Sequence, residues 1–322
     1  MRYSRHLNLD RPKINRKDLD INLIIIGCGG IGNNIAYLCA SLGIKNIYLI
    51  DGDIIEISNL NRQTLFFEKD ILKSKSKVLC EKLKKINSQI NIKYSSKTVD
   101  QLNIDNILNI NNKDKTIIID ATDNMNTRFL LNDYCIKNKI KFISSSTIMT
   151  TGYVYSHIPS LNNACLNCFL ENKKSNASCG IEGVLNGSLF MCASIMISEI
   201  IKIINKEYNT KNIPKLIKFN SYDYKIQLIN INKNKKCNTC KNKKFIHLDN
   251  KKEMQFCSKN FQKKFNKKDY EKVKKRIKSK KKINDLNIGF SFENIIVFKM
   301  GKILIKESTK QRANIKFNQY FT

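Results

Sequence analysis

The sequence predicts an α/β protein: a doubly wound, Rossmann-like, mostly parallel sheet, lengthened by an antiparallel extension and followed by a small C-terminal module. Three observations carry that expectation. An apolar run at 23–26 breaks into "GCGGIG", passes into a helical pattern and returns as a second apolar run at 46–51. The same strand-helix alternation recurs before residue 150. After Thr151 it gives way to short strand patterns around one long apolar helix.

Residues 1–22 read as an N-terminal arm. A strand at 23–26, a helix at 31–42 and a strand at 46–51 make one right-handed βαβ unit. A charged amphipathic helix at 75–86 precedes a strand in "NIKYSS". A buried strand at 116–120 leads to a helix at 125–138 and a strand from 141. Beyond "GYVYSHI" come a cysteine-bearing loop at 160–186, an apolar helix at 187–204 and antiparallel strands at 215–219 and 226–231. The main domain is thus expected over 23–245 and a Lys-rich linker over 246–290. A small α+β module at 291–322 is built on a hairpin, "NIIVFKMGKILIK", turning at Met300 and Gly301.

Length and charge bound the function classes. A chain of 322 residues buries a large core. No segment approaches the roughly 18 uncharged apolar residues of a membrane helix, and the first residues lack a signal-peptide core, so a cytoplasmic enzyme without membrane contact is expected. The formal charge is +31, from 58 Lys and Arg against 27 Asp and Glu. The excess is nearly all Lys in a chain also crowded with Asn and Ile. It therefore reads as compositional drift; the denser run at 263–282 suits contact with RNA or a solvated helix and linker, the second reading leading, and nucleic acid is not an expected partner.

Gly27, Gly29 and Gly32 satisfy G-x-G-x-x-G between a strand and a helix, an arrangement that brings backbone N–H groups and a helix N-terminus to phosphate. Asp51 ends the next strand, where a carboxylate reaches ribose hydroxyls. These features alone suit a nicotinamide or flavin enzyme as well as an ATP enzyme. The following loop, "DGDIIEISNLNRQ", adds Arg62, and Lys75 stands thirteen residues later; two cations beside an anion site suit a triphosphate. At the end of a later strand, "DATDN" places Asp123 where a carboxylate holds Mg²⁺ against phosphates.

"RYSRH", "GCGGIG", "DGD", "SNLNRQ", "KSKSKV" and "DATDN", in that order, resemble the ThiF/MoeB/HesA family, bacterial relatives of ubiquitin-activating enzymes, over roughly residues 2–245. The resemblance implies an adenylyltransferase that activates the C-terminal glycine carboxylate of a small ubiquitin-like sulfur carrier, consuming ATP with Mg²⁺ and serving thiamine, molybdopterin or related thiolation. It implies that Gly30 lies against the nucleotide and that Asp51 binds ribose. Nucleotide contacts come from Asp53 and from Ser58, Asn59, Leu60, Asn61, Arg62 and Gln63, with Asn59, Arg62 and Lys75 on phosphates. Asp123 binds Mg²⁺ with Asn124 beside it. Arg5 matches an arginine donated across a homodimer interface. A carrier ending in Gly-Gly and a sulfur donor such as a cysteine desulfurase or rhodanese are the implied partners. A relative that modifies another peptide carboxylate is the alternative within the class. Outside it stand an NAD- or FAD-dependent oxidoreductase and a zinc-stapled RNA-binding or scaffold protein.

Eleven cysteines without a secretory signal point to metal or buried thiols rather than disulfides. Cys165-x-x-Cys168 and Cys237-x-x-Cys240 are two knuckles, the pattern of a structural tetrahedral Zn²⁺ site. Cys179, in "NASCGIEGV", is in the family's position for a cysteine that in some members links covalently to the carrier. Cys28, Cys39, Cys80, Cys135 and Cys192 read as core, and His6, His157 and His247 as structural. Departures from the family pattern are Leu72 at a usual glycine, and Phe190 and Ala193 at two more in a segment that lacks the usual proline.

Overall fold

The structure, a computed structural model, describes residues 2–170, 183–249, 260–265, 269–286, 289–299, 301–307 and 310–321. The chain forms two compact units, Met1–Met254 and Gln255–Thr322.

In the first unit the order is α1 (Ser4–Leu7), β1 (Asn22–Ile26), α2 (Gly30–Leu42), β2 (Asn46–Ile50), α3 (Lys75–Ile86), β3 (Asn91–Ser95), α4 (Ile104–Leu108), β4 (Thr116–Asp120), α5 (Met125–Asn138), β5 (Lys141–Ile148) and β6 (Thr151–His157). Then follow α6 (Asn167–Leu170), α7 (Asn186–Ile204), β7 (Leu216–Asn220), β8 (Lys225–Ile229) and α8 (Ile246–Asp249). One eight-stranded sheet runs in the order β3-β2-β1-β4-β5-β6-β7-β8. Strands β1 to β5 are parallel and β5 to β8 antiparallel, as the change of pattern at Thr151 predicts. Because β1 and β4 are neighbours while their crossover helices lie on opposite faces, the crevice at their carboxyl ends is a topological switch point.

Two apolar cores cover the faces. Leu23, Ile25, Ile35, Ala36, Ile117, Cys192 and Met196 join α2, α3 and α7 to one face. Ile24, Ile26, Ile118, Leu131, Cys135 and Phe142 join α4 and α5 to the other. The near-continuous Ile runs of β1 and β4 follow from burial on both faces. By length and mean hydropathy α7 would also cross a bilayer. Instead it packs in the first core, and its Glu199, 1% exposed, accepts hydrogen bonds from Ser156 Oγ at 2.8 Å and Lys202 Nζ at 3.0 Å. The helix is unbroken through Phe190, which is exposed, and Ala193, which is buried. The N-terminal arm docks through Tyr3, whose hydroxyl accepts from Asn87 Nδ2 at 2.7 Å and whose ring lies 4.0 Å from the Arg16 guanidinium.

The second unit corrects the expected linker at 246–290. The Lys-rich segment supplies β9 (Asn260–Lys264), α9 (Tyr270–Lys278) and β10 (Asn284–Leu286), continuing into β11 (Gly289–Phe292), β12 (Ile295–Phe298), β13 (Lys302–Lys306) and α10 (Lys310–Phe321). The antiparallel sheet runs β10-β11-β12-β13-β9, so the segment that precedes the expected module pairs with its last strand. Tyr270, Ile277, Phe290, Phe292, Ile295 and Val297 form its core.

Candidate active site and cysteine cluster

Three strand ends build the site. After β1, Gly27 turns the chain at φ +94°, and its N–H donates to Ile50 O at 2.9 Å. A Cβ at Gly27 would lie 2.6 Å from Ala121 O, and one at Gly32 would lie 1.8 Å from Gly27 O, so both glycines are dictated by backbone approach. A Cβ at Gly30 would meet Leu189 of α7 at 2.6 Å, which gives that glycine a helix-packing reason. Gly29, the residue before α2, has only Gln63 Nε2 near its missing Cβ, at 3.9 Å.

At the end of β2, Asp51 clamps the loop. Its Oδ2 accepts from Cys28 N at 2.6 Å and its Oδ1 from Asp53 N at 2.7 Å. Burial first, and then the charge of Asp53, pushes this carboxyl above its ordinary range. Lys75, 9% exposed at the first position of α3, stands 3.6 Å from Asp53 Oδ2. Burial opposes its charge, but Asp51, Asp53 and Asp123 together outweigh that penalty and hold the ammonium above its usual value. Lys75 is therefore charged at neutral pH and surrounded by carboxylates from two strand ends.

The loop between β2 and α3 carries the other predicted residues. Glu56 N donates to Asn59 Oδ1 at 3.1 Å, so the Asn59 amide braces the short helix Ile57–Asn59. Arg62 donates to Ser58 O at 2.7 Å and to Asn61 Oδ1 at 3.0 Å, with Ser58 and Asn61 exposed. Leu60 packs on the first core and Gln63 is buried. Sequence reasoning missed what anchors this loop: Asn33 Oδ1 accepts from Leu65 N at 3.0 Å and Asn34 Oδ1 from Thr64 Oγ1 at 3.1 Å. The signal was the pair of amides that follows the last glycine on an otherwise apolar helix.

Beyond β4, Asp123 is exposed and Asn124 caps α5, its Oδ1 accepting from Asn126 N at 2.8 Å. Asp120 is the last residue of β4. It is fully buried and accepts from Arg128 Nε at 2.7 Å and Ser144 Oγ at 2.8 Å, while Arg128 also donates to Thr122 O and Ser145 O. Arg128, also missed, thereby fixes the turn that presents Asp123. Buried Asn33 Nδ2, Asn34 Nδ2, Gln63 Oε1 and Asn124 Nδ2 are without a hydrogen-bond partner among the described residues, so the crevice holds polar capacity that the protein does not use.

Leu72 adopts φ +67°, the left-handed region that only glycine occupies without cost. Its N–H is held by Ile55 O at 2.8 Å, which keeps the strained turn in place before Lys75. The order of stabilities should accordingly invert the order of apolar area. Leu72→Ile should cost about 1 kcal/mol or more in denaturant melts, whereas Leu72→Gly should stay within about 0.5 kcal/mol of the parent.

The four knuckle cysteines converge. Their Sγ atoms all lie within 4.8 Å of one another, with Cys165 to Cys168 at 4.0 Å, Cys165 to Cys237 at 3.6 Å and Cys168 to Cys240 at 3.5 Å. A tetrahedron of 2.3 Å Zn–S bonds has edges of about 3.8 Å, so the donor set fits Zn²⁺ in both chemistry and size. A buried polar chain ties both knuckles to α5: Asn132 to Asn167 at 3.2 Å, Asn167 to Thr239 at 2.8 Å, and Thr239 to Asp133 at 2.6 Å. Cys28, Cys39, Cys80, Cys135 and Cys192 are buried apolar thiols. Cys179 and Cys257 lie outside the described residues. His157 is buried, with Nδ1 3.1 Å from Ala164 O, and His247 stacks on Phe129. Arg5 is exposed on α1.

The sequence and fold have relatives. The chain is 28% identical to the Sulfur carrier protein ThiS adenylyltransferase of Bacillus subtilis over 61% of its length and 58% of that protein, and 29% identical to the Escherichia coli protein of that name over 64% and 81%. It is 32% identical to the Adenylyltransferase and sulfurtransferase MOCS3 of Culex quinquefasciatus over 63% of its length. The chain spans 46% of that relative, so it matches only about half the length of some of these proteins. Among solved structures, E. coli MccB superposes with a TM-score of 0.64 at 26% identity, covering 74% of this chain and 72% of that one. The family match runs over residues 3–240, through the glycine loop, the Arg62 loop, Asp123 and all four knuckle cysteines: the chain belongs to the ThiF family.

Proposed function

We propose that the protein adenylates the C-terminal glycine carboxylate of a small ubiquitin-like sulfur carrier. The observation that carries this reading is the meeting of charged Lys75 with Asp51, Asp53 and Asp123 at the switch point of a ThiF-family sheet, with Gln63 of the Arg62 loop beside Gly29. A carboxylate oxygen of the carrier attacks the α-phosphorus of ATP. The new bond is the acyl phosphate linkage to AMP, the bond to the β-phosphate oxygen breaks, and pyrophosphate leaves. Anion meets polyanion, so the protein's contribution is positioning and charge neutralisation rather than a general base. Gly29, the glycine with open space beside it, lets the backbone approach phosphate, while Gly27, Gly30 and Gly32 shape the turn and seat α2; Lys75 and Arg62 face the phosphates, and Asp51 and Gln63 line the nucleotide side. Asp123 would hold Mg²⁺, which supplies further phosphate neutralisation when bound.

An apolar rim supports a protein substrate. Met149, Leu185, Phe190, Tyr222 and Tyr224 are all exposed. Thr151 pairs with Asn220, so the β5–β6 and β7–β8 turns share one end of the sheet, the end where β1 and β4 point their carboxyl termini. That surface suits a carrier whose tail enters beside Asp123, and exposed Arg5 is free to reach a second copy in a homodimer. Cys179 is the candidate for a covalent link to the carrier. The likeness to E. coli MccB, solved with ATP and with MccA, leaves room for a second reading in which a partner other than a sulfur carrier, such as another peptide, provides the carboxylate.

Carrier-dependent ATP–pyrophosphate exchange tests the proposal. Exchange is expected with a carrier that ends in Gly-Gly and should be lost when the terminal glycine is removed. Exchange with no carrier of this type would reject the carrier reading.

A further inference from the structure

The C-terminal unit holds a disproportionate share of the charge. Its 68 residues carry 19 of the 58 Lys and Arg but five of the 27 Asp and Glu, a net +14 of the chain's +31. Acidic residues are about as frequent there as in Met1–Met254, whereas basic ones are nearly twice as frequent. Uniform compositional drift would have raised both units alike.

The structure shows how the excess is displayed. Helix α9 seats Tyr270 and Ile277 in the unit's core with Val273 half-buried, which turns Lys272, Lys275 and Lys278 outward. All three are exposed, as are Lys280 and Lys282 just beyond the helix. None of the five has a hydrogen bond or ion pair to a side chain among the described residues. The positive field continues onto the sheet: Lys274 hydrogen-bonds Asp285, and the charges of Lys278 and Lys299 help hold that carboxyl below its usual range.

We propose that the outward face of α9, formed by Lys272, Lys275, Lys278, Lys280 and Lys282, binds the phosphodiester backbone of nucleic acid without reading its sequence. A nucleic-acid strand fits this face better than an acidic protein segment. Among the described residues of the unit no aromatic ring is fully exposed, Tyr270, Phe290, Phe292 and Phe298 being buried and Phe265, Phe317, Tyr320 and Phe321 half-buried, so what the face presents is charge. Recognition by charge alone is satisfied at every repeat of a polymer with one phosphate per nucleotide.

Fluorescence anisotropy of the full chain with a labelled single-stranded RNA of about 20 nucleotides tests this. With five phosphates neutralised, affinity should fall about 100-fold between roughly 50 and 200 mM salt. A variant with all five lysines changed to glutamine should lose binding while keeping its melting temperature, and the matching lysine-to-arginine variant should bind like the parent. No binding at about 50 mM salt, or equal binding by the glutamine variant, would overturn the proposal. Displacement of the RNA by polyglutamate at equal or lower charge concentration would also overturn it, assigning the face to an acidic protein instead. Carrier adenylation does not enter this readout, so either proposal can fail alone.

Discussion

Replacing Lys75 with methionine should lower carrier-dependent ATP–pyrophosphate exchange by about 1,000-fold, roughly 4 kcal/mol of transition-state stabilisation, while the protein remains folded. The size follows from its position. Lys75 is nearly excluded from water, where a fixed charge acts on phosphate far more strongly than at the surface. It is held by Asp51, Asp53 and Asp123, so an incoming triphosphate meets an ammonium already fixed in place. Methionine keeps the apolar stem but not the charge, leaving those carboxylates uncompensated. The Asp51 carboxyl, raised by burial and by Asp53, should then titrate higher still. A residual exchange pH profile displaced toward higher pH would report this, because Asp51 would need a higher pH to ionise. Arg62→Ala should cost less, about 10- to 100-fold, because its half-exposed guanidinium is partly shared with Ser58 O and Asn61.

The second large effect concerns the cysteine cluster. Purified protein should contain one Zn²⁺ per chain, and Cys165→Ser with Cys237→Ser should remove it and lower the melting temperature by 10 °C or more. Structural zinc contributes on the order of 10 kcal/mol in small zinc-dependent folds, and about 3–4 kcal/mol lost from a domain of this size gives a shift of about 10 °C. The consequence should reach the active site. The knuckles are bonded through Asn167 and Thr239 to Asn132 and Asp133 of α5, and the same helix begins at Asn124 and carries Arg128, which fixes the Asp123 turn. Loss of the metal should therefore reduce exchange more than binding of free nucleotide. Metal analysis, calorimetry and exchange on the same samples check this; a metal-free parent with an unchanged melting temperature in the double variant would contradict it.

The legible parts of the molecule were those whose signal is local. The apolar runs of β1 and β4 and the glycines after β1 set element boundaries within a residue or two, because burial on both faces and positive φ at Gly27 leave few alternatives. The cysteine pairs were legible because tetrahedral thiolate ligation imposes its own spacing. Long-range pairings were not. Arg128 becomes meaningful only when β5 brings Ser144 and Ser145 beside Asp120, and Asn33 and Asn34 only when the 57–66 loop folds back over α2. The expected linker failed for a related reason: lysines on the outward face of α9 concealed Tyr270, Val273 and Ile277 on its inward face, and β9 pairs with a strand forty residues away. Leu72 shows the converse: the family pattern marked it as a usual glycine position, and its φ of +67° supplies the physical reason.

The proposed reaction transfers AMP to the carboxyl terminus of a protein. Intact mass spectrometry of a Gly-Gly-ending carrier incubated with the enzyme, MgATP and pyrophosphatase measures that transfer directly. The expected product is a carrier bearing one AMP at its terminal glycine, absent when Asp123→Ala or Lys75→Met enzyme is used. An unmodified carrier with the folded parent enzyme, or an adduct that persists in both variants, would contradict it.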